Sequence, residues 1–138
     1  MAMRWSLFNV GLVIATACVT TTTRTFLPSP QNPIYRPQQA VPIMAEYTRL
    51  QCPAMRKAQQ PDAGRVRLIV DVDTTGLAAR ALLTGTTGDD VLDGVLGTVA
   101  AQLAFPRDST AKRVKQRTVI VDFRCAGDSA IVKIETPD

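Results

Sequence analysis

The sequence predicts an α+β domain, a small antiparallel sheet of about three to four strands packed on one main helix with a short helix at its N-terminal end. Two alternating runs, at 64–72 and 117–125, read as half-buried strands, and a single stretch between 87 and 106 carries the helical period. Composition sets the kind of core: hydrophobic residues make up 46% of the chain and aromatics 5%, so Val, Leu, Ile and Ala must fill it. At 138 residues the chain suits one modest domain plus an appendage.

Residues 1–17 read as a signal peptide. Arg4 and the amino terminus form a basic start, and the apolar stretch that follows is too short for the roughly 20 residues of a membrane-spanning helix. Ala15-Thr16-Ala17-Cys18 resembles the lipobox of bacterial lipoproteins, which implies a lipid on Cys18 and attachment to the membrane through it. Val19, where Asp would favour inner-membrane retention, implies an outer-membrane lipoprotein facing the periplasm. An ordinary signal peptide cut near Ala17, giving a secreted periplasmic protein, and a short uncleaved anchor are the alternatives.

Residues 18–51 read as a proline-rich extended tether behind that lipid. The stretch 19–53 holds six of the nine prolines and shows neither strand nor helix period. Its apolar residues Phe26, Leu27, Ile34, Tyr35, Val41, Ile43 and Met44 are more than an inert linker needs. Either they dock on the protein's own domain or they form a motif for a partner.

The domain is expected at 52–138. Pro53 suits the first turn of a short helix in "PAMRKAQQ". In "GRVRLIVDV", Val66, Leu68, Val70 and Val72 share one face, and "LAARALLT" at 77–84 makes a weaker strand. Between them "DTTG" reads as a turn, with Asp73 opening it and Gly76 in the left-handed conformation. Apolar residues at 92, 95, 96, 99 and 103 form a helix face, started by a Thr87-x-x-Asp90 capping signal and stopped by Pro106. The strip Gly94, Gly97, Thr98, Ala101 marks a close approach of that helix to the sheet. "SAIVKIET" at 129–136 returns antiparallel to 117–125 across Gly127.

Several chemistries are disfavoured. With no histidine the usual nucleophile triads and most zinc and haem sites are absent. A calcium loop opening at Asp71 would need Glu where Leu82 stands. Asp71 and Asp73, on a wet strand face, lack the burial that acid catalysis requires. No metal and no cofactor is expected. Cys52 and Cys125 either form a disulfide across the domain or stay as free thiols. Arg107, Lys112, Arg113, Lys115 and Arg117 form a basic run, read as a solvated loop, with lipid headgroups or an acidic protein surface as the other readings. Net charge falls from +4 to +3 with the signal peptide gone, and no aromatic is interleaved with the basic run, so nucleic acid is not expected.

Taken in order, the short proline-led helix, "GRVRLIVDVD" with its turn glycine, "TTGDDVLD", "AFP" and "VIVDF" resemble the C-terminal domain of TonB-type periplasmic proteins over residues 52–125. The resemblance implies a non-enzymatic domain that binds envelope proteins, often by adding a peptide strand to a sheet edge. A membrane anchor and long arm of the energy-transducing kind are missing. Two roles follow: a stand-alone lipoprotein with a protein-binding module, or the small structural lipoprotein of a type IV secretion core complex. In the second role the chain would oligomerise only within the larger assembly, and the tether would contact the neighbouring subunit.

Overall fold

The computed structural model describes residues 23–107, 110 and 113–137, so the expected signal peptide, Cys18 and Lys112 lie outside the described residues. The elements run β1 (Thr23–Phe26), α1 (Pro37–Lys57), β2 (Ala63–Val72), β3 (Ala78–Thr84), α2 (Asp90–Ala100), β4 (Lys115–Ala126) and β5 (Ser129–Glu135). The fold class is the expected α+β. The antiparallel sheet has five strands among the described residues, in the order β1-β3-β2-β4-β5.

Alternation decides which side of the sheet is covered. Val66, Leu68, Val70 and Val72 of β2 are buried with Ala81 and Leu83 of β3 and Val119, Val121 and Phe123 of β4. Both helices pack on this side, where Leu92, Leu96 and Val99 of α2 supply the facing apolar stripe. The other side carries Arg65, Arg67, Asp71, Arg80, Asp122 and Lys133, as expected for an antiparallel sheet with one wet face.

The largest difference from the sequence reading lies in 18–51. Its described part is not an extended tether: it contains β1, which pairs with β3, and most of α1, a helix of 21 residues. The short helix expected from Pro53 is the last part of this long one. Pro37 stands at N1, where its missing N–H is no loss, but Pro42 and Pro53 lie inside the helix. Each interior proline removes one backbone hydrogen bond at a cost of about 3 kcal/mol. The helix persists because Ala40, Met44, Thr48, Cys52 and Met55 recur along one side and are buried against the sheet. Full burial of a side chain such as Met contributes about 1.5 to 3 kcal/mol.

Two turns follow the sequence reading. Asp73 accepts hydrogen bonds from the amides of Thr75 and Leu77 and from the Thr75 hydroxyl, and Gly76 has φ +91°. A Cβ at Gly76 would also sit 2.4 Å from the Phe105 carbonyl oxygen, so the position requires glycine twice over. Gly127, at φ +56°, opens the two-residue β4–β5 turn as the first central residue of a type II′ hairpin does. At the start of α2 the cap is Asp89, which accepts from the Leu92 amide, while Thr87 is drawn instead to the buried carboxylate of Asp93.

Candidate partner-binding surfaces

Strand β5 is the longer of the two edge strands. Its partner β4 is paired with it from Ala126↔Ser129 to Ile120↔Glu135, and no strand lies on its outer side among the described residues. In a two-residue hairpin the residues flanking the turn exchange both backbone bonds, so Ser129, Ile131, Lys133 and Glu135 direct N–H and C=O at β4. Ala130, Val132 and Ile134 therefore direct theirs outward. Their side chains lie on the helix-covered face, opposite Cys125, Phe123 and Val121, so the edge is held in register by the core behind it.

Charges run across the wet face up to this edge. Arg65 pairs with Asp122 at 2.6 Å, Asp122 stands directly opposite Lys133, and Lys133 pairs with Glu135 at 2.9 Å. The hydrogen bond from Arg65 holds the Asp122 carboxyl below its ordinary range, and the hydrogen bond to Glu135 raises Lys133. Ile131, half exposed at 51%, interrupts this row. The opposite edge is β1, four residues among those described, with the Arg24 guanidinium 5.2 Å from the Phe26 ring centre. Natural edges are protected by shortness and by charge. β5 carries the second protection, in Lys133 and Glu135.

Behind β1 lies a groove of about 510 Å³ between α1, α2 and the 32–35 segment. Phe26, Tyr35, Ile43, Tyr47, Val91 and Val95 form its apolar walls. Gly97 explains its depth, because a Cβ there would fall 2.1 Å from the Phe26 ring. The glycine strip of α2 is thus a seat for β1's phenylalanine at the sheet's edge. The segment that closes the groove is fixed by Gln102, a buried amide whose Oε1 accepts from the Ser29 N–H at 2.7 Å and whose Nε2 donates to the carbonyls of Ser29, Asn32 and Pro33.

The sequence-expected partner residues divide accordingly. Phe26, Tyr35 and Ile43 dock on the protein's own core, and Val41 is half-buried on α1. Leu27 and Ile34 remain exposed at 70% and 56%. Cys52 and Cys125 are joined as a disulfide between α1 and the end of β4. The basic run is not one loop: Arg107 follows α2, Arg113 precedes β4, and Lys115 and Arg117 lie within β4. Sequence reasoning missed Gln102, whose partners lie 69 to 73 residues away, and Asp93, whose buried carboxylate accepts from Thr86 and Thr87 in the loop before α2.

No family model, no curated protein and no solved structure matches the chain. Among the described residues no three His, Cys, Asp or Glu side chains are grouped to hold a metal ion. No described helix is long and apolar enough to cross a membrane.

Proposed function

We propose that this chain is a non-enzymatic, periplasm-facing lipoprotein whose domain binds an envelope protein by adding a strand of that partner to the outer edge of β5. The observation that carries the reading is the edge itself: seven residues without proline or bulge, open on one side and backed by packed side chains on the covered face. The order α1-β2-β3-α2-β4 supports a TonB C-terminal-like domain. The Cys52–Cys125 disulfide supports an oxidising compartment, as the signal-peptide reading requires.

A photo-crosslinking residue at Ile131 tests the edge in envelope fractions. Crosslinks to a partner are expected from the wild-type background and should vanish with Ala130→Pro, which removes an outward N–H and leaves the β4 ladder intact. Crosslinks unchanged by that proline would refute strand addition at β5.

The secretion-complex reading rests on a different surface. Leu27 and Ile34 stay exposed beside Pro28 and Pro30, so a neighbouring subunit would meet these residues and not a free tether. Leu27→Ser with Ile34→Ser should then abolish partner recovery while Ala130→Pro leaves it intact. The reverse result favours β5. Incorporation of labelled palmitate that depends on Cys18 checks the lipid anchor independently.

A further inference from the structure

The groove between α1 and α2 plays no part in strand addition at β5, and its walls define what it can hold. Gln102, the buried polar side chain of its lining, is committed to the 29–33 segment, and the Thr98 hydroxyl donates to the Gly94 carbonyl at 2.7 Å. Among the described residues no buried side-chain donor or acceptor lacks a partner. Charged lining residues stand at one end, where the Arg24 guanidinium donates to the Asp90 carbonyl at 3.3 Å. The rest of the wall is the apolar set from Phe26 to Val95. Building on the lipoprotein reading, we propose that this groove holds an acyl chain carried on Cys18 when the protein is away from a membrane.

The dimensions suit one such chain. The lining positions of α2 run from Asp90 to Val99, about 14 Å at the helical rise of roughly 1.5 Å per residue. One leaflet of a bilayer's hydrocarbon core, half of about 30 Å, is about 15 Å thick. The volume of about 510 Å³ falls within the range of roughly 300 to 1,000 Å³ found for ligand pockets.

The place where the described chain begins says what reaches the groove. Gly94 of α2 faces Arg24 and Gly97 faces Phe26, so β1 runs along α2 in the same direction and the chain before Thr23 arrives at the Asp90 end. Cys18 stands five residues before Thr23, a reach of at most about 18 Å. A lipid on Cys18 can therefore enter at that end with the sheet left as it is. A peptide is a poorer occupant: each of its residues brings a backbone N–H and C=O that need partners, and the buried side chains of the wall are already paired. Hydrocarbon needs none. An acyl chain by itself gives only marginal, reversible membrane binding, so a groove that covers one can compete with the bilayer for it.

The test first takes the chain from residue 18 onward with Cys18→Ser, which cannot carry the lipid, and uses palmitate as free probe in equilibrium dialysis. Saturable binding at a single site is expected. Tyr47→Gln with Val91→Gln should weaken it at least about tenfold, because the wall then no longer matches hydrocarbon. Val114→Gln with Ile131→Gln should change nothing. These control positions are 53% and 51% exposed, against 44% and 57% for Tyr47 and Val91, so both pairs spare the core. A second arm places a photo-reactive residue at Val91 in the lipidated chain, freed of detergent. A crosslink to the Cys18 lipid is expected in solution and should be lost when phosphatidylcholine vesicles are added. Absence of palmitate binding, binding that survives the groove substitutions, or an equal loss with the control pair overturns the proposal. Palmitate binding without the lipid crosslink assigns the groove to a foreign acyl chain and overturns the role of Cys18, as does a crosslink to a protein segment in place of the lipid. A Cys18 that takes up no labelled palmitate in cells overturns the lipoprotein reading itself, a failure distinct from one with the free probe. None of these outcomes bears on crosslinking at β5.

Discussion

Gly97 shows how much one hydrogen atom decides at the residue scale. The Phe26 ring occupies the place of its missing side chain, and this contact fastens the edge strand β1 to α2. Gly97→Ala should cost about 1 to 3 kcal/mol through overpacking. In that background Phe26→Ala should cost less than it does alone, because the ring has already been displaced. Urea unfolding of the two single variants and the double variant measures the coupling; additive losses would contradict the packing described. Asp73 makes a second prediction, this time in pH. Its carboxyl is held below the ordinary range, first by the Thr75 hydroxyl and then by backbone amides of the turn. A group depressed in the folded state stabilises it above its unfolded pKa, and that contribution is lost as pH falls through the folded value, below about pH 4. Asp73→Asn keeps an acceptor and cannot titrate, so the fall in urea midpoint between pH 5 and pH 3 should be shallower in the variant.

Elements with an unbroken period were legible in the sequence, and those whose period is interrupted were not. In β2, β4 and β5 an apolar residue recurs at every second position, at 66–72, 119–125 and 130–134, and the buried residues of β2 are the four that this period selects. α1 was hidden by its prolines. Its buried residues fall four apart at 40, 44, 48 and 52, but one of these is a threonine, and Pro42 and Pro53 argue against a helix at every scale of reading. Thr48 fits because its buried hydroxyl donates back to the Met44 carbonyl at 2.7 Å and so has a partner. Both interior prolines are exposed, so replacement by alanine restores the amides that can donate to the carbonyls of Gln38 and Arg49 without touching the core. Pro42→Ala and Pro53→Ala should each stabilise the protein by roughly 1 to 2 kcal/mol once the looser unfolded chain is allowed for. The same helix is tied to β4 by the disulfide, which spans 73 residues of sequence. Its removal by Cys52→Ala with Cys125→Ala should cost roughly 4 kcal/mol in the chain-entropy view. Denaturant titration with and without reductant compares the two states of the wild-type bond directly.

At the scale of the whole molecule, the boundary between appendage and domain moves. The sequence places it at residue 52, whereas the sheet already includes Thr23 and the core already includes Ala40 and Met44. What the candidate site owes to this segment was not legible, because the deciding contacts join distant positions: Gln102 is 69 to 73 residues from the carbonyls and amide it binds. A chain beginning at residue 52 lacks β1 and most of α1, and so loses most of the packing of α1 on β5, α2 and β4 and of β1 on β3 and α2. Exposing several side chains worth about 1.5 to 3 kcal/mol each consumes most of the 5 to 15 kcal/mol that holds a domain of this size together. Such a chain should show no cooperative unfolding transition and poor amide dispersion, whereas a chain beginning at residue 23 should show both a transition and dispersed amides. Equal folding of the two would restore residues 18–51 to the role of a tether. It would also make deletion of 24–45 a clean test of partner binding, which it is not while those residues hold the domain together.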